Sequence, residues 1–172
     1  IVDNGQHILI GAYHELLGVM QKVGININEV LQSEALNLHF PAAPFLLRLP
    51  KLPAPWHLAC GLLASQGISF AEKIAAMTFM KAIQTKKIAP AMSVLELLNV
   101  YKQSATLRRF LWEPLCLSAL NTPIDKASAQ IFVNVLQDTL RGARQNTDYL
   151  LPKTDLSRLF PNQAARFIEK NG

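Results

Sequence analysis

Apolar positions along this chain recur mostly at helical intervals, with one interruption where they alternate. Leu16, Leu17, Met20 and Val23 share one helical face, and Gly24 stands where that helix should stop. A short turn is expected over residues 28–32. The period then falls to two: Leu36, Leu38 and Phe40 alternate with Asn37 and His39, which predicts a strand. Residues 45–49 can return beside it across Pro41-Ala42-Ala43-Pro44, making a hairpin. Pro50, Pro53 and Pro55 form a stiff exit, and a helix is expected over 56–65. Ser69 with Glu72 and Ser93 with Glu96 each place a hydroxyl at a cap and a carboxylate three residues on, which predicts helices to about Gln84 and Tyr101. Another starts near Ser104 and must kink or restart at Pro114, and one more is expected from an Asp125 cap to Leu140, closed by Gly142. A loop over 146–155 and short helices to Lys170 follow, with Pro161 in a first turn. The pattern amounts to an α+β chain, mainly α-helical with a small antiparallel sheet or hairpin, read as one domain over 1–172.

Composition narrows the partners. Of 172 residues, 50% are hydrophobic and 17% charged, below the roughly 25% charge of ordinary soluble domains. Such a surface suits excision from a larger protein, an apolar ligand or a membrane surface; the first residue, Ile1, is in keeping with excision. The net charge of +5 is spread out, densest at Lys86-Lys87 and Arg108-Arg109, without the basic face and stacking aromatics of nucleic-acid binders, so no nucleic-acid partner is expected. Weak attraction to anionic headgroups fits better. Cys60 and Cys116 form no CxxC and read as small buried hydrophobes in a reducing compartment, hence a cytoplasmic protein, peripheral on the inner membrane at most. The longest apolar run, 56–64, falls short of the ~18 residues of a spanning helix.

Several chemistries lack their motifs. The sequence has no GxGxxG, P-loop or GxSxG, and its four histidines never fall at the i, i+4 spacing of a helical metal site, so no metal is expected. The most unusual stretch is 110–130, FLWEPLCLSALNTPIDKASAQ. There Trp112 and Glu113 precede Pro114, and an apolar segment ends at Asn121-Thr122-Pro123. That punctuation suggests a fixed backbone lining a space.

The same residues carry a resemblance. The opening VDNGQHILIGAYHELLGVMQKVG resembles the turn that passes the flavin in the amine oxidase and carotenoid desaturase superfamily. LPAPWHLACGLL, LWEPLCLSALNTPIDKASAQIF and LLPKTDLSRLFP resemble one branch of it, the squalene-associated flavin desaturases, or hydroxysqualene dehydroxylases, of bacterial hopanoid synthesis. The order WEPLC, ALNTP, ASAQ is the more specific part. The resemblance implies a mainly helical substrate domain inserted in a Rossmann-type FAD domain that this chain lacks, with residues 1–11 a remnant of the flavin-side crossing. It implies an enzyme that removes the hydroxyl of hydroxysqualene and quenches the resulting cation with hydride from reduced FAD. A phytoene-type desaturase and a non-enzymatic lipid-binding or membrane-docking module are the alternatives. FAD belongs to the full-length enzyme, and this chain, without a phosphate-cradling glycine loop, is not expected to bind it tightly or to be active alone. Its expected partners are the isoprenoid, the missing FAD domain of the same polypeptide, a membrane surface at the periphery, and further copies of itself through exposed apolar surface.

Site residues follow from that resemblance. Asp3, Asn4, Gly5, Gln6 and His7, with Pro152 and Lys153, match segments near the flavin. Glu113 is the candidate general acid: burial beside Trp112 and Pro114 would raise its pKa, although a cap or salt bridge explains it equally. Trp112 either stabilises a passing cation or fills core. Asn121 and Thr122 either bond the hydroxyl or end a helix. Leu115 and Phe132, with Leu62 and Leu117, are wall or core.

Overall fold

The computed structural model describes residues 8–85, 88–89, 91–140 and 142–172. Helices hold more than half of the chain, and the strands form small antiparallel sheets, so the fold is α+β. The chain divides into two compact units. One is built from the chain up to Leu36 together with 145–172, and the other is the continuous stretch 37–144.

In the first unit, strand β1 (Leu9–Ile10) turns through Gly11 into helix α1 (His14–Lys22), which ends where Gly24 takes a φ of 90°. Helix α2 (Ile27–Val30) is capped by Asn26, whose side chain accepts from the Asn28 amide, and strand β2 (Leu31–Glu34) follows directly. The sequence pattern gave a turn here, because β2 carries no alternation: only Leu31 of its four residues is buried. Strands β1 and β2 both pair with a strand from the other end of the chain, Tyr149–Pro152, giving the order β1-β5-β2 once that strand takes its place as β5. Leu31 opposes Pro152, and Glu34 opposes Tyr149. Met20, Ile25, Leu31, Leu150 and Leu159 form the buried centre.

In the second unit, strands β3 (Asn37–His39) and β4 (Leu46–Arg48) make the expected hairpin, with Leu38 opposite Leu47. The helices α3 (Trp56–Ala64), α4 (Phe70–Ile83), α5 (Val94–Val100) and α6 (Ala105–Leu107) come next. Both capping boxes form: the Glu72 amide lies 3.3 Å from the Ser69 hydroxyl and the Glu96 amide 3.2 Å from that of Ser93, while each glutamate takes its cap amide at 2.7 Å. Pro114 does not break the chain of helices. The backbone widens into a π turn over Arg108–Trp112, and helix α7 (Glu113–Leu120) restarts with the proline in its first turn, where no amide donor is needed. Helix α8 (Ala129–Leu140) starts three residues later than an Asp125 cap would place it. Ser128 takes the capping role, its hydroxyl 3.5 Å from the Ile131 amide, and Gly142 follows the helix with a φ of 102°. The core gathers Phe79, Leu98, Leu107, Trp112, Cys116, Phe132 and Val133, all buried.

The loop expected over 146–155 contains a 3-10 turn (Arg144–Thr147) and β5. After it, Asp155 caps helix α9 (Leu156–Leu159), accepting from the Arg158 amide at 3.0 Å. Helix α10 (Pro161–Asn171) opens on its proline.

Candidate functional site

The π turn and α7 position most of the residues singled out on the second unit. Trp112 is 1% exposed; its indole N–H donates to Gln103 Oε1 at 2.9 Å, and its ring meets Phe79 edge to face at 4.9 Å. Gln103, itself buried, donates in turn to the Ala75 and Tyr101 carbonyls. The ring is therefore held in the core by both its edge and its nitrogen.

Glu113, the next residue, is half-buried at the first position of α7. One turn on lies Cys116, whose thiol is pushed up to about 11, first by burial and then by the negative charge of Glu113. Leu115 is half-buried beside Glu113 in sequence, whereas Leu117 is exposed. Phe132, on the buried side of α8, has no exposed surface, and Leu62 of α3 is likewise buried.

Asn121 and Thr122 serve the helix end. Asn121 adopts a left-handed φ of 47° as the cap of α7, with its amide on the Leu117 carbonyl, and Thr122 Oγ1 donates to the Leu120 carbonyl at 2.8 Å. The segment after them is a strap. Its Ala127 and Ile124 carbonyls accept from the Val94 and Leu95 amides at 2.9 and 2.8 Å, and the Ala129 amide reaches the Met92 carbonyl. With the Ser93 hydroxyl on Glu96, the first amides of α5 are thus all satisfied by protein. The sequence reading missed this pairing, since Ser93 and Ser128 meet across 35 residues of chain; the only signal was the capping box itself. Between strap and helix lies an open cleft of about 410 Å³ lined by Met92, Ser93, Glu96, Asp125, Lys126 and Ser128.

Pro152 and Lys153 lie in the first unit. Lys153 is tied to α2 and its exit: its amide donates to the Val30 carbonyl and its Nζ to the Asn28 carbonyl, both at 2.9 Å. The residues 3–7 matched to the flavin-side turn lie outside the described residues. Among the described residues, only β1 runs through a glycine into a helix. A Cβ on Gly11 would run into the Gln145 carbonyl, so that turn is filled by protein, and Glu15 in the first turn of α1 repels an anion. That turn therefore does not fit the pyrophosphate of a flavin cofactor. Among the described residues, no three of His, Cys, Asp and Glu gather as a metal site would need, and no helix is long and apolar enough to cross a membrane.

No protein-family model matches the chain. One curated relative does. The chain is 23% identical over 172 residues to the hydroxysqualene dehydroxylase of Zymomonas mobilis subsp. mobilis. The match takes in 98% of this chain but only 37% of that protein. It spans the 37–144 unit and the flanking segments together, so the likeness is not confined to one structural unit.

Proposed function

We propose that this chain is the substrate-side part of a flavin-dependent oxidoreductase acting on a long isoprenoid, with hydroxysqualene, converted to squalene, as substrate. The likeness to the Zymomonas mobilis hydroxysqualene dehydroxylase along nearly the whole chain carries the reading. A charge content of 17% supports it, because a long hydrocarbon and a cation derived from it both require an apolar, water-excluding wall. In this reading the flavin is held by parts of the polypeptide beyond the described residues. The chain's own share is enclosure and one acid: Glu113 protonates the departing hydroxyl, and Leu115 belongs to the apolar lining on the same turn.

Product analysis of the full-length protein tests the proposal. Hydroxysqualene under reducing conditions should yield squalene, and phytoene under oxidising conditions should be returned unchanged. Desaturated phytoene would move the protein to the carotenoid branch. Tight binding of either isoprenoid without turnover would leave a lipid-binding module. In the same assay Glu113→Gln should lower kcat by about a hundredfold with KM little moved; unchanged turnover would remove Glu113 from the chemistry.

A further inference from the structure

Helices α3 and α4 of the 37–144 unit present large apolar side chains to solvent. α3 carries no charged residue. Its inner side is fixed by His57, Gly61 and Leu62, all buried; a Cβ on Gly61 would meet the Leu49 side chain at 2.6 Å, so closely does α3 lie on the β4 exit. The 100° step of a helix puts Trp56 and Leu63 on the opposite side, 64% and 44% exposed. In α4, Ala76, Phe79 and Ile83 face inward, and Phe70 and Ile74 are 70% and 42% exposed. Lys73 Nζ donates to the Leu63 carbonyl at 2.6 Å, which sets the first turn of α4 against the end of α3.

Charge decides what such a face suits. Between Ala35 and Leu95 the sequence holds six Lys and Arg residues and one acid, Glu72. That carboxylate is engaged by Ser69 and by the Ser104 hydroxyl at 2.6 Å. Arg48, Lys51 and Lys81 are exposed. Bulky aromatic residues in a stretch of chain rich in bases and without an uncommitted acid match the boundary of an anionic bilayer, where rings enter the headgroup layer and ammonium or guanidinium groups stay at the phosphates. A second copy would set these bases against its own.

We propose that the α3–α4 face docks the protein on an anionic lipid bilayer, with Trp56, Leu63, Phe70 and Ile74 in the headgroup–acyl boundary and Arg48, Lys51 and Lys81 toward the phosphates. The inference stands on this surface and does not require the isoprenoid reading. The full-length protein should sediment with phosphatidylcholine vesicles that contain phosphatidylglycerol and much less with phosphatidylcholine alone, and high salt should weaken the binding. Trp56→Ser with Phe70→Ser should lower partitioning by about tenfold or more with unchanged circular dichroism. Where that variant fails to fold, the conservative Trp56→Phe decides: brominated lipid should quench the wild-type protein more than Trp56→Phe, since Trp112, the other tryptophan of this sequence, is 1% exposed and out of reach, and equal quenching of the two would overturn the proposal. Equal binding to both vesicles that salt leaves unmoved would overturn the proposal. So would absence of binding, either with a monomer or with a dimer that the double substitution dissolves, the latter assigning the face to a second copy.

Discussion

Trp112 and Gln103 form a buried pair whose loss should register in stability. Trp112→Phe keeps most of the volume but leaves Gln103 Oε1 without its indole donor in a site 2% exposed, which should cost about 1–3 kcal/mol. Trp112→Ala also opens a cavity beside Phe79 and should cost about 3–5 kcal/mol. Urea unfolding of the purified variants measures both; a Trp112→Phe cost near zero would mean that the hydrogen bond is immaterial. The residue scale is also where the sequence was least decisive. A tryptophan before a glutamate and a proline reads as a ring facing a ligand or a ring in the core, and the choice depends on Phe79 of α4 and on Gln103 in the connection between α5 and α6. Asn121 is the opposite case. An asparagine two residues before a proline has a local reason to take the left-handed turn, and it does, at a φ of 47°.

At the scale of elements, what was legible was what is local. The capping boxes at Ser69 and Ser93, the cap at Ser104 and the restart at Pro114 all depend on residues within a turn of one another, and all four stand in the structure. Ser69→Ala should therefore destabilise by about 1 kcal/mol. Glu72→Ala should cost more, because its carboxylate also takes the Ser104 hydroxyl at 2.6 Å and so joins the start of α4 to the start of α6. Thermal melts of the two variants compare them; an equal shift would make the Ser104 bond dispensable. Strands β2 and β5 were not legible. Each is four residues long without alternation, and its partner lies more than a hundred residues away. The start of α8 was misplaced for a related reason. Asp125 is a good cap by itself, but the carbonyls of its turn are held by the first amides of α5, which moves the cap to Ser128.

For the molecule as a whole, each unit holds one group that burial keeps from ionising. Cys116 in the 37–144 unit has its thiol pushed up to about 11, and Tyr149 in the other has its phenol raised by burial. A folded pKa above the unfolded one means that stability is fully present below the unfolded value and is lost as pH rises through the folded one. The 37–144 unit should thus weaken from about pH 9 to about pH 11, the Cys116 window, and the other unit only at higher pH, above the ordinary tyrosine value of 10.0, as Tyr149 ionises. Denaturant unfolding across that range checks this, and Cys116→Ala should flatten the Cys116 share. Stability that stays level to pH 11 would count against it.

The stretch 110–130 draws these scales together. By itself the sequence determined most of the longer helices, the capping boxes at Ser69 and Ser93, the proline restart and the low charge content, because hydroxyl, carboxylate and proline act over three or four residues and composition needs no fold. Only the tertiary structure decided that Trp112 is core, that 123–128 is a strap on α5, and that a three-stranded sheet joins the two ends of the chain. Those outcomes depend on contacts between residues far apart in sequence, whose pairing no local pattern encodes.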